Sequence, residues 1–104
     1  MSKSNTVHVL YPRKEDATFD IDYYLKTHMP LAYKTWNSFG FTSYKVTKYP
    51  DDAPYSYGVT MEWEDMERFE KALQAEGTKA VMDDVKNYSD VQPIILSGEV
   101  VGSG

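Results

Sequence analysis

No cysteine occurs among the 104 residues, which excludes disulfides, thiolate catalysis and metal sites with cysteine ligands. Basic residues are also scarce, since 11 lysines and arginines oppose 16 acidic residues and give a formal net charge of -5. This balance argues against binding of nucleic acid, which needs a basic surface. Long apolar runs are missing too, so we expect no membrane association. No apolar leader is visible at the start, which predicts a cytoplasmic protein without a signal peptide.

Aromatic residues, by contrast, are abundant: they make up 14% of the chain and include nine tyrosines. Tyrosine joins an apolar ring to a hydroxyl, so it suits the wall of a ligand pocket as well as a protein core. The length predicts one domain over residues 1–104, with an ordered core over about 6–101. A chain of this size buries a modest core, and a partner chain can add to its stability.

A first helix is predicted over residues 21–39, where apolar side chains recur at helical spacing after a capping residue, Asp20. At about 100° per residue, one broad face of this helix collects seven side chains. They are Ile21, Leu25, His28, Met29, Ala32, Trp36 and Phe39. Pro30 lies on the opposite face, where it bends the helix or divides it into two shorter ones. Gly40 is expected to end the helix.

Four segments have the composition of β-strands. Residues 7–11 are β-branched and apolar, and Pro12 follows them. Residues 41–49 and 55–64 form the next two strands, and the second of these alternates regularly between apolar and polar side chains. Residues 94–101 form the last strand.

A second helical region is predicted between the third and fourth strands. Asp65 is expected to cap its first helix, and Gly77 interrupts the pattern before residues 78–88 continue it. The buried stripe of the first helix is predicted to contain Met66, Phe69, Ala72 and Leu73.

The resulting order, strand-helix-strand-strand-helix-strand, predicts an α+β protein with the ferredoxin-like βαββαβ fold and a four-stranded antiparallel sheet. Right-handed crossovers place both helices on one face of the sheet. The other face stays bare, and pairing of two sheets face to face would cover it. Because the polar side chains of the third strand lie there, a dimer interface containing water and an exposed sheet both fit the pattern.

The run Phe19-Asp20-Ile21-Asp22-Tyr23-Tyr24-Leu25-Lys26-Thr27-His28-Met29-Pro30-Leu31 resembles the EthD family, named for ethyl tert-butyl ether degradation. Its most specific part is Tyr-Tyr-x-x-x-His-x-Pro-Leu. Residues 9–12 are similar to the first strand of the family, and residues 87–93 and 98–100 to its closing segment. The resemblance covers nearly the whole chain and implies a homodimer, the dimeric α/β barrel, in which two ferredoxin-like subunits pack sheet to sheet. It also implies a pocket between sheet and helices, with His28 and Tyr24 at the matching positions and Tyr23 on the outer side of the helix.

His28 is the leading candidate for a catalytic residue, because an imidazole exchanges protons near neutral pH. Burial disfavours its charged form and would leave it able to act as a base. Tyr24 lies one helical turn earlier, where its phenol could donate a hydrogen bond to a developing oxyanion. The alternative is structural: His28 could bond a backbone carbonyl that the Pro30 bend leaves without a partner.

His8, the other histidine, alternates with Thr6 and Leu10 on the first strand. It either shares a pocket with His28 or faces the dimer interior. Two histidines without a carboxylate at ligand spacing make a poor metal site, so we expect no catalytic metal. No phosphate-binding loop or dinucleotide fingerprint is present, and no cofactor is expected. The pair Asp83-Asp84 is interpreted as surface.

The remaining aromatic residues could line a cleft for a flat, apolar ligand. The substrate-binding candidates besides His8 are Tyr44, Tyr57, Trp63 and Trp36. Packing in the core is the competing interpretation for such residues.

Three functions remain open. The first is an enzyme that acts on a small apolar, oxygenated or aromatic compound of the polyketide or phenol type. It would use His28 for cofactor-free acid/base catalysis of isomerisation, cyclisation, elimination or decarboxylation, with a cofactor-free monooxygenase as a related possibility. The second is a protein that binds such a ligand without transforming it, and the third is a structural dimer without a ligand.

Overall fold

The computed structural model describes residues 4–104. The expectation about an N-terminal leader concerns residues 1–3 as well, and these lie outside the described part. Within residues 4–104 there is one four-stranded sheet in the order β2-β3-β1-β4, and all three neighbouring pairs are antiparallel. The strands are β1 (Asn5–Pro12), β2 (Phe41–Lys48), β3 (Tyr55–Trp63) and β4 (Ile94–Glu99). The prediction of a ferredoxin-like α+β fold is confirmed.

The register of the central strand separates the two faces of the sheet. Val7, Val9 and Tyr11 of β1 are buried in the core. His8, which alternates with them, is exposed on the opposite face beside Thr60 of β3. The helices therefore cover the Val7–Tyr11 side, and the outer face of the sheet remains open in the single chain.

The first helical segment is continuous from residue 21 to residue 39, but its hydrogen-bond pattern changes along its length. Ile21–Tyr23 (α1) leads into a π-helical turn over Tyr24–His28, followed by Met29–Trp36 (α2) and a 3₁₀ turn over Asn37–Phe39. Asp20 caps the start, since its carboxylate accepts a hydrogen bond from the backbone N–H of Tyr23 at 3.1 Å. The π turn closes with the bond from Met29 N–H to the carbonyl of Tyr24.

This wider turn corrects one prediction from the sequence. Leu25, which regular helical spacing placed on the buried face, is 46% exposed, whereas Tyr24 is only 1% exposed. A π turn contains more residues than an α turn, so it changes which side chains face the core. Tyr24 and His28 are consequently both buried, and Leu25 points away from the sheet.

Gly40 ends the segment as predicted. Its φ of 93° lies in the left-handed region, which only glycine adopts readily. A Cβ at this position would also lie 3.0 Å from Arg68 Cδ. The chain can therefore turn sharply here from the helix into β2.

The second helical region is less regular than its pattern predicts. It consists of α3 (Met66–Leu73), α4 (Thr78–Asp83) and a 3₁₀ turn over Asp84–Asn87. Asp65 caps α3 as expected, with its carboxylate 2.7 Å from the N–H of Arg68. Leu73 was predicted to be buried and is 43% exposed, because it borders an open cavity between the helices and the sheet.

An aromatic cluster joins helices and sheet at one end of the core. Trp63 stacks on Phe41 at a centroid distance of 5.1 Å and meets Phe69 edge to face at 5.0 Å. Trp36 donates from its indole N–H to the Thr78 hydroxyl at 2.8 Å, which fastens α2 to α4. None of the helices in residues 4–104 is long and apolar enough to cross a membrane.

Candidate active site

His28 lies at the last position of the π turn, and only 6% of its surface is exposed. Its Nδ1 is 2.9 Å from Oδ2 of Asp84, which begins the 3₁₀ turn after α4. An ionised carboxylate can only accept hydrogen bonds, so the neutral imidazole carries its proton on Nδ1. The alternative, in which His28 bonds a free backbone carbonyl next to Pro30, is wrong, since both ring nitrogens have side-chain partners.

Asp84 is itself held firmly from its other side. Its Oδ1 accepts hydrogen bonds from the Tyr23 hydroxyl at 2.7 Å and from Nδ2 of Asn87 at 2.9 Å. Burial on its own would raise the pKa of Asp84, but the hydrogen bonds from Tyr23, Asn87 and His28 outweigh it and lower the pKa below its ordinary value. The carboxylate is therefore ionised and points Oδ2 at His28.

Two tyrosines continue the chain of hydrogen bonds beyond His28. The hydroxyl of Tyr88 is 3.2 Å from Nε2 of His28, and the hydroxyl of Tyr11 is 2.5 Å from that of Tyr88. With the imidazole proton on Nδ1, Nε2 accepts, and Tyr88 donates its hydrogen to it. Tyr11 must then donate to Tyr88, so every hydrogen in the chain from Tyr11 through Tyr88 and His28 points towards Asp84.

Backbone contacts hold Tyr88 next to the start of the first helix. The N–H of Asp20 donates to the carbonyl of Tyr88 at 2.8 Å, and Phe19 forms an isolated bridge with Ser89. Asp90 accepts hydrogen bonds from both the N–H and the hydroxyl of Thr18, at 2.9 and 2.8 Å. The segment after the 3₁₀ turn is therefore attached to the residues that precede His28 in the chain.

The surroundings set the protonation states of the cluster. Burial lowers the pKa of His28, and the hydrogen bond and charge of Asp84 offset this only in part. Burial is also the largest cause that raises the pKa values of Tyr11, Tyr24 and Tyr88 above the ordinary phenol value. At neutral pH the cluster thus contains an uncharged imidazole and protonated phenols.

Two adjacent cavities, which share five lining residues, lie between the sheet and the helices. The His28 cavity is about 40 Å³ and is lined at its polar end by Tyr11, Tyr24, His28 and Tyr88. The apolar cavity beside it is about 210 Å³. Both are lined by Val9, Trp36, Met61, Met82 and Ile95, and the apolar cavity is also lined by Val7, Phe69, Leu73 and Ser97.

Solved structures with a similar fold were found for the whole chain. An EthD-like protein from Ralstonia eutropha JMP134 has a TM-score of 0.84 and 27% sequence identity, over 100% of this chain and 97% of that one. The chain has an EthD-like fold. An ethyl tert-butyl ether degradation (EthD) family protein from Bacillus halodurans C-125 has a TM-score of 0.73 and 22% identity, over 94% of this chain and 99% of that one.

The EthD-like fold also extends to more distant proteins. SnoaB, a cofactor-independent oxygenase from Streptomyces nogalater, has a TM-score of 0.55 and 15% identity, over 100% of this chain and 96% of that one. No protein family model matches the sequence, and no curated protein matches it. The EthD resemblance first seen in residues 19–31 is confirmed by the fold.

The EthD-like structure brings only part of the predicted site together. His28, Tyr24 and Trp36 all line the His28 cavity. His8 lies on the outer face of the sheet, 3.3 Å from the Thr60 hydroxyl, so it does not share this cavity. Tyr57 stacks on Phe19 and lines a separate depression near Arg13.

The other two predicted aromatic residues pack within the fold. Trp63 is 2% exposed and belongs to the aromatic cluster with Phe41 and Phe69. Tyr44, in β2, packs against Phe41 of the same strand and Tyr33 of α2. Neither is among the residues that line the two adjacent cavities.

Sequence reasoning missed Asp84, Tyr88 and Tyr11. Asp84 was assigned to the surface and is the carboxylate partner of His28. Tyr11 could have been found from the alternation of β1, which places it with Val7 and Val9. Tyr88 lies in the closing segment that resembles the EthD family. His28 and Asp84 are 56 positions apart in the sequence, so no local pattern signals their contact. In residues 4–104 no three or more His, Cys, Asp or Glu side chains are grouped to hold a metal ion.

Proposed function

We propose that this EthD-like protein is an enzyme that moves a proton on a small, apolar, oxygenated compound without a cofactor. The observation that supports this most is the series of hydrogen bonds from Tyr11 through Tyr88 and His28 to Asp84. Tyr11, Tyr88 and His28 line the polar end of the His28 cavity. A neutral imidazole with a carboxylate on Nδ1 is a base at Nε2. The carboxylate also stabilises the imidazolium that forms when the base takes a proton.

The step begins with a substrate that has an acidic C–H next to a carbonyl. The C–H bond breaks, its electron pair forms the enolate, and the proton passes to the Tyr88 oxygen as the hydrogen of Tyr88 passes to Nε2 of His28. Tyr24 retains its proton because its pKa is raised, so its hydroxyl is suited to donate to the enolate oxygen. Where a C=C is conjugated with the enolate, return of the proton to the far carbon of that double bond gives isomerisation. Where the molecule has a second carbonyl, the enolate carbon attacks it, its C=O π bond breaks and its oxygen takes the proton back, which gives cyclisation.

Two of the other functions predict different behaviour at the same cavity. A binding protein would hold the ligand without proton exchange. A cofactor-free monooxygenase would form the same carbanion and then consume O₂, and the similarity in fold to a cofactor-independent oxygenase keeps that reaction in the test. A structural dimer without a ligand predicts a closed helix–sheet interface, which the two cavities do not favour.

Exchange of substrate hydrogen with D₂O tests the proposal without knowledge of the natural substrate. We expect the protein to speed deuterium incorporation next to the carbonyl of ketones such as 2-nonanone and phenylacetone, measured by NMR. The rate should rise with pH as His28 loses its proton, with a midpoint below about 6.5, because the pKa of His28 is lowered. It should then stay flat up to about pH 10, since the tyrosine pKa values are raised.

The outcomes distinguish the acid/base enzyme, the binding protein and the oxygenase. Ketones that bind without faster exchange would contradict the enzyme and leave the binding protein. Uptake of O₂ together with ketone consumption would identify the oxygenase instead. A deuterium-exchange rate no higher than the rate in buffer containing an unrelated protein at the same concentration would reject the proposed acid/base role.

We further propose that two chains pair through the outer face of the sheet. Ile94 and Leu96 of β4 are 41% and 54% exposed, and Leu96 lies beside His8 in the register. Pairing of two such faces would remove apolar surface from water. Light scattering is expected to give twice the chain mass of 11.9 kDa at micromolar concentration, whereas a mass of one chain would contradict the dimer.

A further inference from the structure

The apolar cavity takes no part in the proton step, yet it is the larger of the two adjacent cavities. Its volume is about 210 Å³, compared with about 40 Å³ for the His28 cavity. An apolar cavity of roughly 150 Å³ is enough to hold benzene. The smaller space therefore fits one functional group, and the body of a ligand would lie in the larger one.

Three large apolar side chains next to this cavity remain in contact with solvent. Leu73 is 43% exposed, Met82 is 40% exposed and Ile95 is 46% exposed. All three line the apolar cavity, on the side of the sheet that carries the helices. A ligand seated there would remove their surface from water, which favours binding of an apolar group.

The charges around the two cavities restrict the ligand further. Among residues 4–104, neither lining contains Lys, Arg, Asp or Glu, and His28 is uncharged at neutral pH. A carboxylate or ammonium group inside would lose its hydration without gaining a partner of opposite charge. The polar groups are concentrated at the His28 end, so a neutral ligand with one oxygenated end matches the lining.

The strand geometry gives the length of the site. Val7 borders the apolar cavity and Tyr11 borders the His28 cavity, while Val9 lines both. Four residues of β1 cover about 13 Å at the usual rise of a strand, which is roughly the length of an extended chain of ten carbons.

We infer that the apolar cavity is a binding site for the tail of an elongated, neutral substrate whose oxygenated end reaches His28. This inference rests on the proposed function, because the acid/base role of His28 decides which end of the substrate carries the oxygen. Leu73, at the end of α3, lines the apolar cavity but not the His28 cavity, so it belongs to the tail site alone. The site therefore favours long, flexible or flat neutral ketones over short ones and over fatty acids.

Calorimetric titration with 2-pentanone, 2-heptanone and 2-nonanone tests the tail site by binding alone. We expect the affinity to rise about tenfold for each added pair of methylenes, since every buried CH₂ adds a similar contribution. Nonanoate, which has a similar length and one negative charge, should bind at least tenfold more weakly than 2-nonanone. An affinity that does not change with chain length, or no binding of any ketone, would overturn the inference.

A pair of matched variants locates the tail site. Leu73→Trp should fill the apolar cavity and reduce the affinity for 2-nonanone at least tenfold, while 2-pentanone should change less than twofold. Leu25→Trp is the control, because Leu25 is exposed to a similar degree, 46% against 43%, and faces away from the cavities. Equal effects of the two substitutions would contradict the site.

Failure of this inference differs from failure of the proposed function. If the acid/base role is wrong, the dependence on chain length and the effect of Leu73→Trp remain while deuterium exchange is absent. If the tail site is wrong, exchange continues with a rate that does not depend on the length of the ketone.

Discussion

The His28→Ala variant is expected to lose between about 10²-fold and 10⁴-fold of the deuterium-exchange rate, the usual contribution of a positioned acid or base. The variant keeps Tyr88 and Asp84 but removes the group that joins them. Without Nε2 the hydrogen of Tyr88 has no acceptor, and the raised pKa of Tyr88 keeps its hydroxyl protonated, so the phenol cannot take up the substrate proton. The measurement is the initial rate of exchange at pH 7.5, where His28 of the wild-type protein is uncharged.

The two controls for this variant address stability and specificity. His28→Gln keeps a polar side chain in the buried site, and circular dichroism with thermal unfolding checks that both variants remain folded. His8→Ala removes the other histidine, which is exposed on the opposite face of the sheet, and should retain the exchange rate. A folded His28→Ala protein with the wild-type rate would remove His28 from the mechanism.

Asp84→Asn is expected to reduce the exchange rate by about 10²-fold or more, although it removes only a charge and keeps the shape. An amide can turn its NH₂ group towards Nδ1, which would then accept a hydrogen bond and move the imidazole proton to Nε2. Nε2 would no longer accept a proton from Tyr88. The pKa of His28 should fall further, because Asp84 is the group that raises it.

The neighbouring residue provides the control for this substitution. Asp83→Asn makes the same chemical change one position earlier, at an exposed side chain, and should leave the rate within about twofold. Since His28 stays neutral in Asp84→Asn, raising the pH should not restore activity. Recovery of the rate at high pH would indicate that Asp84 affects only the charge of the imidazole and not the position of its proton.

The architecture could be predicted from the sequence because it depends on local patterns. The alternation in residues 55–64 and the caps at Asp20 and Asp65 each act over a few residues, and the structure has β3, α1 and α3 at these places. The EthD-like run added the relation to known proteins. Local periodicity was sufficient to place His28 on the buried side of its helix.

The partners of His28 could not be predicted in the same way. Regular helical spacing cannot reveal a π turn, which is why Leu25 was assigned to the core although it is exposed. Asp84 was assigned to the surface together with Asp83. Its contact with His28 depends on the packing of α4 against α2 and on the 3₁₀ turn that follows, neither of which has a sequence signature.

The central claim is that Asp84 holds the His28 proton on Nδ1 and leaves Nε2 as the base. A ¹⁵N NMR titration of the histidine side chains tests it directly, with the His8→Ala variant used to assign the His28 signals. We predict that at pH 7.5 His28 has a protonated Nδ1 and an unprotonated Nε2, and that it titrates with a pKa below about 6.5. A proton on Nε2 at that pH, or a pKa above that of an ordinary imidazole, would contradict the account.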